Sequence, residues 1–79
     1  MQPKNSRSGT SSLHPDLEAI ATEVRQARHR HGLTQAELAG LAGTGIRFVG
    51  DLERAKPRLS LDKVLAVLAA LGLRLQVAP

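Results

Sequence analysis

The sequence predicts an all-α domain of four to five helices that ends in one short β-strand. Three observations carry that prediction. Apolar residues recur at three- and four-residue steps in two long segments, Leu17 to Arg30 and Leu61 to Leu71. Between them lie two shorter helical segments separated by Gly43. The end, L-R-L-Q-V at 73–77, alternates apolar and polar with the period of a strand. Residues 1–14 are polar and rich in Ser, Gly and Pro, so they read as a flexible tail. Residues 15–72 form the domain and 73–79 the strand segment.

Pro15 and Asp16 introduce the first helix, with Leu17, Ile20, Ala21, Val24 and Ala27 on its inner face and Gly32 closing it. Glu18, Glu23, Arg25 and Arg30 make an ordinary solvated side. Thr34 starts the second helix with a capping box: its hydroxyl accepts from the Glu37 N–H while the Glu37 carboxylate accepts from the Thr34 N–H. Ala36, Leu38, Ala39, Leu41 and Ala42 are expected to form a small inner surface that admits a close second helix. Gly43 suits the left-handed conformation of a sharp turn, and Thr44 or Gly45 caps the third helix. There Val49 and Leu52 face inward with Phe48 at the edge, leaving Ile46, Arg47, Gly50 and Asp51 outside.

Pro57 to Leu59 connect to the fourth helix, with Ser60 as its expected N-cap and Asp62 in its first turn. Leu61, Val64, Leu65, Leu68 and Leu71 form its apolar stripe, Val67 adds width, and Gly72 stops it. In the last segment Leu73, Leu75 and Val77 share one side. A lone strand cannot satisfy its own backbone groups, so its expected partner is a copy of itself in an antiparallel pair across a two-fold axis. The alternative is a frayed end packing Leu73 and Leu75 on the helices.

Composition narrows the function. At 79 residues and 8.4 kDa the chain is one small domain. It has no cysteine for a disulfide, so part of its stability is expected from association. A cytoplasmic location is expected, with no membrane partner, because no apolar run is long enough for a signal peptide or a span. Eleven Lys and Arg against seven Asp and Glu give a net charge of +4, and the pI is about 10.8, which favours a polyanion partner. Catalysis finds no support. Cys, Tyr and Trp are absent, no Ser-His-acid spacing is recognisable, and G-T-G at 43–45 lacks the third glycine and preceding strand of a nucleotide fingerprint. No cofactor is expected. No metal is expected either, since His29 and His31 alternate instead of standing four apart and His14 lies far upstream.

An exposed first turn carrying Arg47 beside Ile46 has the chemistry of a major-groove reader: a guanidinium for guanine O6 and N7, and aliphatic carbon for a thymine methyl. A merely solvated arginine remains the alternative. T-Q-A-E-L-A-G-L-A-G followed by D-L-E-R-A-K resembles the xenobiotic-response-element (XRE) class of helix-turn-helix regulators, which includes the lambdoid phage repressors and Cro proteins. The resemblance spans roughly Val24 to Gly72 and implies a lambda repressor-like fold that binds double-stranded operator DNA. It places Gln35 on a phosphate, with Arg54, Lys56 and Arg58 gripping the strand after the reading helix. Base contacts would fall to Gly45, Ile46, Arg47 and Asp51, with Asp51 accepting from a cytosine amine. It also implies an ion pair between Arg28 and Glu53 that clamps the first helix to the third. The chain departs from the class where Gly45, Ile46 and Ala55 replace the usual Ser or Thr, polar donor and Gly, so fewer direct hydrogen bonds are available to read bases.

The ending L-G-L-R-L-Q-V and the tract R-F-V-G-D-L-E-R resemble the HipB-type antitoxin branch. That likeness implies a homodimer paired through Leu73, Leu75 and Val77, a HipA-type kinase toxin as partner, and repression of its own operon. A free-standing regulator without a toxin, or a helix-turn-helix scaffold that binds protein surfaces, stays open beside it.

Overall fold

The computed structural model describes residues 14–79. The tail expected over residues 1–14 therefore lies, apart from His14, outside the described residues. Four helices follow in order: α1 (Pro15–Arg30), α2 (Gln35–Ala42), α3 (Ile46–Glu53) and α4 (Leu61–Ala70). Pro15 occupies the first turn of α1, where its missing N–H costs no hydrogen bond. The capping box forms at α2: Thr34 Oγ1 accepts from the Glu37 N–H at 3.0 Å, and the Thr34 N–H donates to Glu37 Oε1 at 2.8 Å.

All four helices close the same way. An N–H just past each helix returns to the carbonyl five residues earlier: Leu33 to Arg28, Thr44 to Ala39, Lys56 to Asp51 and Leu73 to Leu68, at 2.8–3.1 Å. Each such closure needs a left-handed residue just before the donor. Gly43 meets that need at φ +72° in the turn between α2 and α3. After α3 the position is held by Ala55 at φ +56°, a conformation that costs an alanine about 1–2 kcal/mol.

The core is one cluster under all four helices. Val24 and Ala27 from α1, Leu38 and Ala39 from α2, and Val49 and Leu52 from α3 meet Val64, Val67, Leu68 and Leu71 from α4 and its cap. α2 packs on both α3 and α4, while α1 packs on α3. Lys63 of α4 stands over the half-buried Phe48 ring, 5.8 Å from its centre.

Several expectations need correction. α2 buries Leu38 and Ala39, but Ala36 is exposed and Leu41 is 64% exposed. Apart from Gln35 and Glu37 its residues are Ala, Leu and Gly, so periodicity cannot select a face. On α4 the buried stripe is Val64, Val67, Leu68 and Leu71. Leu61 and Leu65 stand outside it at 60% and 41% exposure, and Val67 is at its centre, not its edge. Ser60 sits at the N-cap of α4 without a side-chain capping bond. Gly45 caps α3, also without one, and the Thr44 hydroxyl is buried with no hydrogen-bond partner among the described residues. Gly50, placed outside, is buried, and Asp51 is only 20% exposed.

No strand occurs among the described residues. Leu73 is half-buried against the core, Leu75 is 41% exposed and Val77 is 95% exposed. Within one chain the 73–77 segment has no ladder partner, so alternation alone cannot make it a strand.

Candidate nucleic-acid interface

The end of α3 is tied down more heavily than its start. Glu53, its last residue, is 4% exposed yet carries a carboxylate, so a compensating set of donors is required. Arg28 of α1 supplies two, Nε to Oε2 at 2.6 Å and Nη2 to Oε1 at 3.0 Å, and its Nη1 donates to the Leu33 carbonyl at 2.9 Å. Gln35 of α2 adds Nε2 to Oε1 at 3.1 Å. Arg28 and Glu53 thus form a two-pronged ion pair. Burial alone would push the Glu53 carboxyl up. The Arg28 and Gln35 hydrogen bonds and the charges of Arg28 and Arg25 outweigh it and hold the group below its ordinary range, while Glu53 raises Arg28 in return.

Arg25 belongs to this knot as well. Its Nη1 donates to the backbone carbonyl of Glu53, one of the α3 carbonyls that have no partner inside the helix. The sequence reading left Arg25 on a solvated face. Its only advance sign was its place one helical turn before Arg28.

By contrast, the α3 N-terminus is open. Gly45, Ile46 and Arg47 are all exposed, Ile46 at 54%. Arg47 makes no hydrogen bond or ion pair among the described residues. The first turn of α3 therefore offers a free guanidinium, an aliphatic side chain and a helix start whose N–H groups no side chain caps.

The cations placed after α3 are disposed unequally. Arg54 is 67% exposed and Lys56 56% exposed, but both turn to Asp51: its Oδ1 lies 2.6 Å from Arg54 Nη2 and 3.8 Å from Lys56 Nζ. Asp51 was assigned to a cytosine amine. Arg54 and Lys56 share its Oδ1, so that contact would fall to Oδ2 or compete with the guanidinium at 2.6 Å. Arg58 is exposed and left-handed at φ +66°, and it lies beside the start of α1, sharing a shallow groove with Asp16 and Leu17. Gln35 is half-buried and already bonded to Glu53, leaving one amide hydrogen for a phosphate. Gly50 was missed as a packing position. A Cβ there would come 3.3 Å from Arg54 Nη1, because the Arg54 side chain folds back over it.

Away from α3, no described helix is long and apolar enough to cross a membrane, and the described residues hold no cluster of three or more metal-ligating side chains.

A helix with a locked end and an open start, joined through a left-handed glycine to a capped partner helix, is matched by a family model described as helix-turn-helix over residues 24–77. The chain belongs to the XRE-type helix-turn-helix family. It is 47% identical over 58 residues to y4mF of Sinorhizobium fredii, described as an uncharacterised HTH-type transcriptional regulator, covering 73% of this chain and 76% of that one. Among solved structures, the restriction-modification controller protein C.AhdI from Aeromonas hydrophila superposes with a TM-score of 0.67 at 33% identity, over 77% of this chain and 92% of that one. A chain of a toxin-antitoxin module from Streptococcus pneumoniae gives 0.70 at 36% identity, over 81% and 70%. A chain of a HipA-HipB-O2-O3 complex gives 0.71 over 100% and 97%, and at 20% identity it shows the fold alone.

Proposed function

We propose that this chain is a sequence-specific DNA-binding transcriptional repressor that binds a palindromic operator as a homodimer. The observation that carries the reading is the exposed, unpartnered Arg47 beside exposed Ile46 on a helix whose far end is locked by Arg28, Arg25 and Gln35. Rigid placement of a few side chains is what reading base edges demands. Arg47 reads a guanine, Ile46 meets a thymine methyl, and Gly45 lets the backbone come close. Gln35, Arg54, Lys56 and Arg58 contact phosphates and read no base edges. With so few direct donors, operator shape supplies part of the selectivity.

The dimer reading rests on exposed apolar surface away from α3. Leu61, Leu65 and Leu75 are each at least 41% exposed. Leu17 and Ile20 line a groove with Leu61, and Ile20 lines a second with Leu73 and Leu75. Antiparallel pairing through Leu73, Leu75 and Val77 would cover this face.

Within repressors, we favour the antitoxin of a HipBA-like operon with a HipA-type kinase toxin as partner. The supports are the L-G-L-R-L-Q-V ending and the likeness to the pneumococcal toxin-antitoxin chain. The likeness to a restriction-modification controller at 33% identity favours a second reading, a regulator without a toxin. Fluorescence anisotropy against mixed duplex DNA at low and moderate salt tests the DNA reading: salt-sensitive binding is expected, and none at low salt would leave a protein-binding scaffold. A kinase-like gene adjoining this one, whose product co-purifies with it, is expected for the antitoxin, and its absence favours the second reading.

A further inference from the structure

Of the cations around α3, two share one carboxylate. Asp51 Oδ1 lies 2.6 Å from Arg54 Nη2 and 3.8 Å from Lys56 Nζ, while the Asp51 side chain is only 20% exposed. The Arg54 guanidinium is also laid back along the helix. Its Nη1 occupies the space over Gly50, 3.3 Å from where a Cβ would stand, with Gln35 Oε1 near the same point. The Arg54 guanidinium is therefore held along the flank of α3, while the side chain stays 67% exposed.

Sequence-independent affinity for a duplex comes from cations that displace condensed counterions, each phosphate contact adding about 0.9 to the slope of log affinity against log salt. Long, freely moving cations make such contacts on any duplex and at any depth of docking. A cation held against the reading helix reaches a phosphate only when that helix is seated.

We propose that Asp51 is a positioning residue for specificity, restraining Arg54 and Lys56 so that they grip phosphate when α3 is fully docked and contribute little on mismatched DNA. The inference rests on the DNA-binding reading above. Asp51 touches no base. It acts through the two cations and lowers the affinity for random sequence that an unrestrained Arg54 and Lys56 would confer.

The test compares the full chain with Asp51→Asn on a selected duplex and on a random one, across a salt series. For Asp51→Asn we expect random-duplex affinity to rise about three- to tenfold near 0.1 M salt, with a slope steeper by about one. Affinity for the selected duplex rises less, so the ratio of the two narrows. The same comparison in an Arg54→Gln/Lys56→Gln background removes the restrained groups, and Asp51→Asn should then leave the ratio unchanged. An equal rise on both duplexes, or the same narrowing without Arg54 and Lys56, would reduce Asp51 to a distant negative charge and overturn the proposal. Salt-insensitive or absent binding by the unaltered chain would instead overturn the DNA reading, and this inference with it.

Discussion

Arg28→Ala is expected to be among the most damaging single changes in the domain, and its cost should depend on pH in a specific direction. The substitution strands a carboxylate that is 4% exposed, leaving it one side-chain donor, Gln35 Nε2 at 3.1 Å. Breaking a buried ion pair from one side costs about 3–5 kcal/mol. Here the remaining Gln35 bond, and 12% exposure of the lost Arg28 side chain, argue for a cost at or just below the bottom of that range, about 2–3 kcal/mol. A domain of this size holds only about 3–10 kcal/mol in total, so the melting temperature should fall by roughly 10–20 °C. The pH dependence follows from Glu53 being held below its ordinary value. In the unaltered protein the pair contributes fully above the usual carboxylate range, and the contribution is lost as pH falls through the lowered folded value. In the variant, burial dominates and pushes Glu53 up, so mild acid neutralises the stranded group and relieves it. Urea unfolding followed by circular dichroism should therefore show a gap between the two proteins that is wide at pH 7 and narrow at pH 3. A gap of equal size at both, or an equal loss from Arg25→Ala, which removes a bond to the Glu53 carbonyl but strands no charge, would refute the reasoning.

Other outcomes follow from the same geometry. Arg47→Ala should relax sequence choice by about 1–3 kcal/mol at one base position, whereas Arg58→Ala, which removes a cation that Asp51 does not hold, should weaken selected and random duplexes alike and flatten the salt slope, both read by anisotropy. Ala55→Gly relieves the φ +56° strain but loses a buried methyl, so thermal melts should place it between neutral and about 1 kcal/mol more stable; Ala55→Val, β-branched in the same left-handed site, should lower stability by 2 kcal/mol or more, about what overpacking costs. Deleting residues 73–79 should convert a dimer into a monomer by sedimentation equilibrium, and a monomeric intact chain would end the pairing model.

Features governed by neighbouring residues were legible in the sequence. The Thr34–Glu37 box and the break at Gly43 depend on local spacing, so they could be located from it. Faces were harder. α2 is apolar nearly all round, which left Leu41 on the wrong side, and α4 carries Leu at positions 61 and 65 that belong to another surface. The Arg28–Glu53 pair came from family likeness, because a contact between residues 25 apart leaves no periodic trace. Arg25 bonds a backbone carbonyl and so needs no particular partner residue, which hid it. Asp51 was placed on a base by family likeness, and its ion pairs with Arg54 and Lys56 depend on how those side chains turn in the folded chain. Alternation at 73–77 describes what a second chain could complete and cannot show that one does.

The central claim is that the open start of α3 enters a DNA groove twice per assembly. Selection of bound duplexes from a random pool addresses it most directly. The account predicts enrichment of inverted repeats whose half-site centres lie about one turn of B-DNA, roughly 34 Å, apart, with a guanine preference that disappears for Arg47→Ala. Enrichment of unpaired half-sites, or a base preference that survives the loss of Arg47, would contradict it.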